Sequence, residues 1–156
     1  MKGFTLIEIL ITMAILVILA VFGSVNLLNY YSRQGLRVSV NNIIMMLQEA
    51  RTDSQQGADG NGDGQSDQWG IRLENITSSA VKIFYNTTST VNRVYNLEAG
   101  VQFIDPSAGQ AKEIIFSKIT GYPNTTTSVI VALKNNPTAS STISVDALGR
   151  VTQIGL

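Results

Sequence analysis

The sequence predicts an α+β protein: one long N-terminal α-helix, with a transmembrane half and an amphipathic half, packed on an antiparallel β-sheet domain. Three observations carry this expectation. An apolar run fills residues 4–25, apolar residues at helical spacing continue to about residue 54, and from residue 69 short β-rich runs alternate with polar turns. A helix followed by strands is the order of an α+β fold. The expected segments are a membrane and assembly helix over 4–28, an amphipathic helix over 29–54, a Gly/Asp loop over 55–68 and a β-rich outer domain over 69–156.

Between Phe4 and Val25 there is no Lys, Arg, Asp or Pro, and Glu8 is the only ionisable side chain. At about 1.5 Å per residue this run spans roughly 33 Å, which matches a hydrocarbon core of roughly 30 Å. A secretory signal would have a stronger basic start, a shorter apolar run and a small-residue cleavage site behind it, so this span is expected to stay on the protein. A charge at the centre of a membrane helix costs about 2.5–3.5 kcal/mol on insertion scales. Glu8 therefore calls for a cation, or else for a position near enough to the bilayer surface to snorkel to water.

The stretch Lys2-Gly3-Phe4-Thr5-Leu6-Ile7-Glu8 before an apolar helix closely resembles the prepilin signature of type IV pilins and type II secretion pseudopilins. The resemblance implies a leader of residues 1–3, cleavage after Gly3 by a membrane peptidase, N-methylation of Phe4 and a role for Glu8 in filament assembly. It also implies a type IV pilin-like fold. Cleavage would free an α-amino group with a reference pKa of about 7.7–8.0, a cation able to meet Glu8 of a neighbouring subunit. In a dry bundle that pair removes two unpaired charges together, so its main effect is on register.

After Val25, Tyr30 and Tyr31 fall where interfacial aromatics sit. Leu36, Val40, Ile43, Leu47 and Ala50 then follow at steps of four, three, four and three, one face of a helix. Helix-bending proline is absent from the first half, where Gly23 and Gly35 stand instead. The run 43–47 is too apolar for one face and reads as core packing under a sheet. Strands are expected at 69–73, 81–85, 93–97, 101–104, 113–116, 128–133, 142–145 and 151–154, with turns at 86–88, 98–100, 105–106, 120–124, 135–137 and 148–150. The Ser/Thr-rich stretch 138–142 reads as an exposed, hydrated loop.

The order Trp69-Gly70-Ile71, Ile114-Ile115-Phe116, a Gly121 turn, Thr142-Ile143-Ser144-Val145 and Gly149-Arg150-Val151 is similar to H-type minor pseudopilins and FimT/FimU-like minor pilins. Some DNA-uptake members of that class carry a second arginine after the closing pair. This chain has Thr152 there and no basic cluster for phosphates, so nucleic acid is not an expected partner.

Eleven basic and eleven acidic residues give a formal charge of zero, and there is no Cys or His. That excludes disulfides, thiol chemistry and the commonest general base. Lacking the C-terminal disulfide loop of many pilins, the chain leans toward a minor or pseudopilin-like subunit. Arg33 and Arg37 follow the span closely while only Lys2 precedes it, so a positive-inside count opposes the N-in orientation that the prepilin resemblance implies.

The one metal-like constellation is Asp59-Gly60-Asn61-Gly62-Asp63-Gly64-Gln65-Ser66-Asp67. Asp59, Asn61, Asp63, Gln65 and Asp67 match oxygen-ligand positions of an EF-hand loop with Gly64 at its turn, which makes Ca2+ the one candidate cofactor. Gly70 stands where the bidentate carboxylate belongs, leaving Asp53, Glu74 or water to supply it. The same composition suits a solvated turn. Sequons at Asn75, Asn86 and Asn124 are explained by the abundance of Asn and Thr in strand and turn positions. No nucleophile–base pair, phosphate-cradling loop or paired-acid site is present, so no enzymatic activity is expected.

Together these features predict a minor (pseudo)pilin, first of all of the type II secretion pseudopilus, acting in filament initiation or capping during protein export. The alternatives are a minor pilin of a type IV pilus serving adhesion, motility or DNA uptake, and a non-polymerising, membrane-anchored, calcium-responsive binding domain. Expected partners are other (pseudo)pilin subunits, the prepilin peptidase/methylase and the inner-membrane assembly platform. The expected location is the bacterial inner membrane, single-pass, with the N-terminus cytoplasmic and the C-terminal domain periplasmic, and then the filament.

Overall fold

The computed structural model describes residues 5–155, and for residues 22–29 it describes the backbone alone. Among the described residues a single helix, α1 (Leu6–Gln56), is followed by eight strands: β1 (Trp69–Asn75), β2 (Ser79–Tyr85), β3 (Val91–Asn96), β4 (Val101–Asp105), β5 (Ala111–Ile115), β6 (Thr127–Leu133), β7 (Asn136–Val145) and β8 (Val151–Ile154). The strands form two antiparallel four-stranded sheets, in the orders β3-β2-β1-β5 and β4-β6-β7-β8.

The two halves of α1 have different surroundings. From Leu36 onward, Leu36, Val40, Ile43, Leu47 and Ala50 are fully buried, on the face that their spacing describes. In the apolar run 43–47, Ile43, Met46 and Leu47 enter the core, Ile44 packs against its edge and Met45 faces outward. From Leu6 to Val21 every described side chain is exposed, including Leu10, Ile11, Met13, Leu16 and Leu19. Among the described residues no helical stretch is long and apolar enough to cross a membrane; the apolar run continues into 22–25, whose side chains lie outside that description.

Both sheets bury one face against the amphipathic half of α1. Strand side chains alternate between faces, so Ile71 and Leu73 of β1 stand opposite Ile83 and Val81 of β2, and Ile71 also stands opposite Ile114 of β5. Val129 and Ile143 pair likewise across β6 and β7. These residues join the helix side chains, Phe103 and Phe116 in one cluster. The outer face of the first sheet carries ion pairs: Arg72 Nε to Glu74 at 2.8 Å, Arg72 Nη1 to Glu113 at 2.8 Å and Lys82 Nζ to Glu74 at 2.7 Å. The Lys82 hydrogen bond holds the Glu74 carboxyl below its ordinary range despite its partial burial.

The strand expectations hold with one correction. Residues 136–142 are the first part of β7, and the hairpin turn is Lys134-Asn135. Polar composition conceals this strand because it alternates: Ser141, Ile143 and Val145 turn inward and are buried, while their neighbours are only partly covered. Pro137 lies where the β6–β7 register shifts, an irregularity that tolerates its missing N–H.

Candidate functional site

Three regions carry the polar chemistry. The first is the helix start. Thr5 has extended backbone angles (φ −77°, ψ 152°) and forms the N-cap of α1. Its backbone N–H and its hydroxyl donate to Glu8 Oε2 at 2.9 and 2.8 Å, and the Glu8 N–H donates to Thr5 Oγ1 at 3.4 Å. This reciprocal capping box satisfies otherwise orphaned amides and sets a carboxylate at the positive end of the helix dipole. Glu8 thus has a local reason to stand four residues past Phe4 in an apolar helix, and the exposed Ile7, Ile9 and Ile11 flank it. Gly3 and Phe4 lie outside the described residues.

The second region is the loop after α1. Gly57 adopts φ 65° and returns its N–H to Asp53 O, ending the helix in a left-handed cap. Asp59 then organises the turn: Oδ1 accepts the N–H groups of Asn61, Gly62 and Asp63, and Oδ2 accepts that of Gly64 at 2.6 Å. These amides, Gly64 first, lower the Asp59 pKa. Asp67 is 3% exposed and faces the opposite way, accepting the Gly60 N–H at 2.8 Å and the Asn86 side-chain amide at 2.5 Å. Trp69 Nε1 donates to Ala58 O at 3.0 Å, and its ring packs 5.5 Å from that of Tyr85.

The side-chain oxygens of Asp59, Asn61, Asp63 and Asp67 all accept hydrogen bonds in this geometry. Among the described residues no three acidic side chains stand close enough to hold a metal ion together. Asn61 and Asp63 bond to each other, Asp63 Oδ1 takes the Gln65 N–H, and the oxygens of Asp59 and Asp67 go to the loop and to Asn86. Of the two carboxylates that could stand in for Gly70, Glu74 is bonded by Arg72 and Lys82, and Asp53 belongs to the last turn of α1, where burial and then Glu49 push its pKa up. The three sequon asparagines also have structural tasks. Asn75 donates to Phe103 O and Pro106 O, Asn86 to Asp67, and Asn124 accepts the Ile115 N–H.

The third region was not foreseen from the sequence. The last turns of α1 clasp two distant turns: Arg51 donates to Gly121 O at 3.4 Å and Leu148 O at 3.0 Å, Ser54 Oγ to Phe116 O at 3.0 Å, and Gln55 to Thr120 O at 3.1 Å. Gly149 has φ 74°, and a Cβ there would lie 2.6 Å from Gly121 O and 2.8 Å from Arg51 Nε. The Gly121 turn and the Gly149-Arg150 turn, read separately in sequence, are therefore one structural unit. Arg150 is tied to Asp146 at 2.9 Å, and its own N–H helps keep the Asp146 pKa low. The only sequence hint of the clasp is a polar Arg51-Thr52-Asp53-Ser54-Gln55 run at the end of an otherwise apolar-faced helix.

The prokaryotic N-terminal methylation motif matches residues 1–24. No curated protein matches the sequence significantly. Among solved structures, the chain is similar to the type IV minor pilin FimU of Pseudomonas aeruginosa strain PAO1 in two crystal forms. One has a TM-score of 0.59 at 13% identity, covering 80% of this chain and 92% of FimU; the other has 0.57 at 12%, covering 76% and 92%. It is also similar to the minor pseudopilin EpsH from the type 2 secretion system of Vibrio cholerae, with a TM-score of 0.55 at 10% identity, covering 77% of this chain and 96% of EpsH. At such identities the likeness is one of fold, and the motif is a separate match to the N-terminal segment. The chain thus joins the prokaryotic N-terminal methylation motif to the helix-on-antiparallel-sheet fold of type IV minor pilins and a type 2 minor pseudopilin.

Proposed function

We propose that this chain is a minor structural subunit of a type IV filament, first of all of a type II secretion pseudopilus, working in filament initiation or capping without catalysis. It is made as a single-pass membrane precursor with its β-rich domain outside the cytoplasm, trimmed after Gly3, methylated at Phe4 and drawn into a bundle of like helices. The observation that carries this reading is a methylation motif leading directly into a helix whose described side chains from Leu6 to Val21 are all exposed and, apart from a capped Glu8 and Thr12, apolar. Such a surface needs lipid or neighbouring helices to cover it. The amine created at Phe4 supplies the cation that Glu8 of an adjacent subunit lacks.

The likeness to FimU supports a second reading, a minor pilin of a surface pilus. Within that reading DNA uptake has the weakest support, because Thr152 follows the closing turn and Arg150 is paired to Asp146. Mass spectrometry of the mature N-terminus tests the shared core of both readings. The expected product begins at N-methylated Phe4, and Gly3→Leu is expected to leave an uncleaved precursor. Normal trimming of the Gly3→Leu chain would refute the prepilin assignment.

A further inference from the structure

Arg33 and Arg37, the residues that oppose a positive-inside count, line one cleft. Its other walls are Asn136, Thr138, Ala139 and Ser140 at the start of β7, and its volume is about 290 Å³. The arginines stand one turn apart on the same side of α1 and are exposed. Among the described residues neither has a hydrogen-bond or ion-pair partner. No carboxylate lines the cleft, whose remaining polar groups are an amide and hydroxyls. Glu98, at the β3–β4 turn, receives the Tyr95 hydroxyl at 3.4 Å. Lys134, in the β6–β7 turn beside Asn136, adds a further positive charge at this end of the domain.

The place of the cleft along the helix selects its occupant. Arg33 lies eight residues beyond Val25, about 12 Å along α1, and Arg37 about 18 Å. Helical side chains lean toward the N-terminus, so the Arg33 guanidinium reaches back to a headgroup layer roughly 5–8 Å deep, and that of Arg37 follows about 6 Å behind, one turn further out. The exposed Tyr30 and Tyr31, with rings edge to face at 6.1 Å, stand between the apolar run and the arginines, the order of an interfacial belt. Paired guanidinium groups with nearby amide and hydroxyl donors suit a phosphodiester, which accepts bidentate hydrogen bonds.

We infer that the Arg33–Arg37 cleft binds the phosphate of an anionic phospholipid headgroup in the outer leaflet of the membrane that anchors the subunit. The inference rests on the membrane-anchor reading and specifies it. The lipid contact seats the β-rich domain on the bilayer before assembly, and it gives the two arginines a favourable place on the side where a charge count disfavours them.

The test uses the full chain. Flotation with vesicles of phosphatidylcholine and of phosphatidylcholine with phosphatidylglycerol first asks whether the protein enters a membrane; failure in both would overturn the anchor reading itself. Native mass spectrometry of the detergent-solubilised protein with equal amounts of the two lipids then asks about the cleft. The expected result is preferential retention of phosphatidylglycerol, reduced about 30-fold in affinity by R33Q/R37Q, or roughly five-fold per arginine, with melting temperature unchanged. R33K/R37K is expected to recover part of the preference. Equal retention of both lipids by a protein that floats would overturn the cleft proposal and leave the anchor standing. Two further results would also overturn it: stabilisation by millimolar inorganic phosphate equal to that by the lipid, or loss in R33Q/R37Q only of crosslinks to an acidic neighbouring subunit.

Discussion

Ile119 is the one β-branched residue of the described chain held at positive φ, at 70°, and its side chain is 81% exposed. Left-handed backbone costs a residue of this shape, and no core packing repays it. The conformation is imposed from both sides: the Ile119 N–H is bound to Ser54 O, while the Ser117 and Gly121 backbones bond to each other. Ile119→Asn, which accepts left-handed angles, is expected to raise stability by about 0.5–1 kcal/mol in denaturant unfolding. Gly149→Ala, set against Gly121 O and Arg51, is expected to lower it by about 1–3 kcal/mol in the same assay. An unchanged Gly149→Ala protein would show that the clasp is looser than its distances. Sequence marked Gly121 and Gly149 as turn residues because glycine advertises positive φ. It did not mark Ile119, whose strain comes from hydrogen bonds to a helix sixty-odd residues earlier.

At the scale of elements, the loop between α1 and β1 illustrates two solutions available to one composition. Alternating Asp and Asn with Gly can collect oxygens around a cation, or it can turn those oxygens onto the loop's own amides. Here Asp59 takes four backbone N–H groups and Asp67 is buried between Gly60 and Asn86. Asp67→Ala is therefore expected to cost about 1–3 kcal/mol, because the Gly60 amide and the Asn86 side chain lose a partner. Calcium and chelator are expected to leave the melting temperature where it is. A clear rise with millimolar calcium, abolished by Asp59→Ala, would instead favour a cation-bound rearrangement of the loop. Motif spacing could not separate these cases, since both need the same residues. Strands were more legible: period-two alternation and turn residues located all eight. Their division between two sheets was not readable, because no strand's own pattern names its neighbour. The Ser/Thr-rich start of β7 hid for a related reason, its inward positions including the small polar Ser141 rather than a branched apolar residue.

For the molecule as a whole, α1 divides assembly from folding along one continuous rod. Its C-terminal half is the spine of the core, whereas every described side chain from Leu6 to Val21 is exposed, with the Thr5–Glu8 capping box at its start. Glu8 and Leu47 lie far apart on α1, so substitutions at them are expected to act independently. Leu47→Ala removes a fully buried side chain between the sheets and is expected to cost about 2–5 kcal/mol, a fall in melting temperature on the order of 10 °C, while chains that remain folded still join neighbouring subunits. Glu8→Ala is expected to do the reverse. The β-rich domain melts as before, because the Glu8 side chain is exposed and bonds, among the described residues, to Thr5, but recovery of the subunit in sheared filaments or in crosslinks to its neighbours falls at least ten-fold, roughly 1.4 kcal/mol or more of register preference. Glu8→Gln separates charge from capping, since an amide keeps the acceptor for the Thr5 hydroxyl while removing the partner for a neighbour's amine. If Gln assembles as well as Glu, the carboxylate serves the helix start alone. If Gln fails as Ala does, its charge locks one subunit to the next.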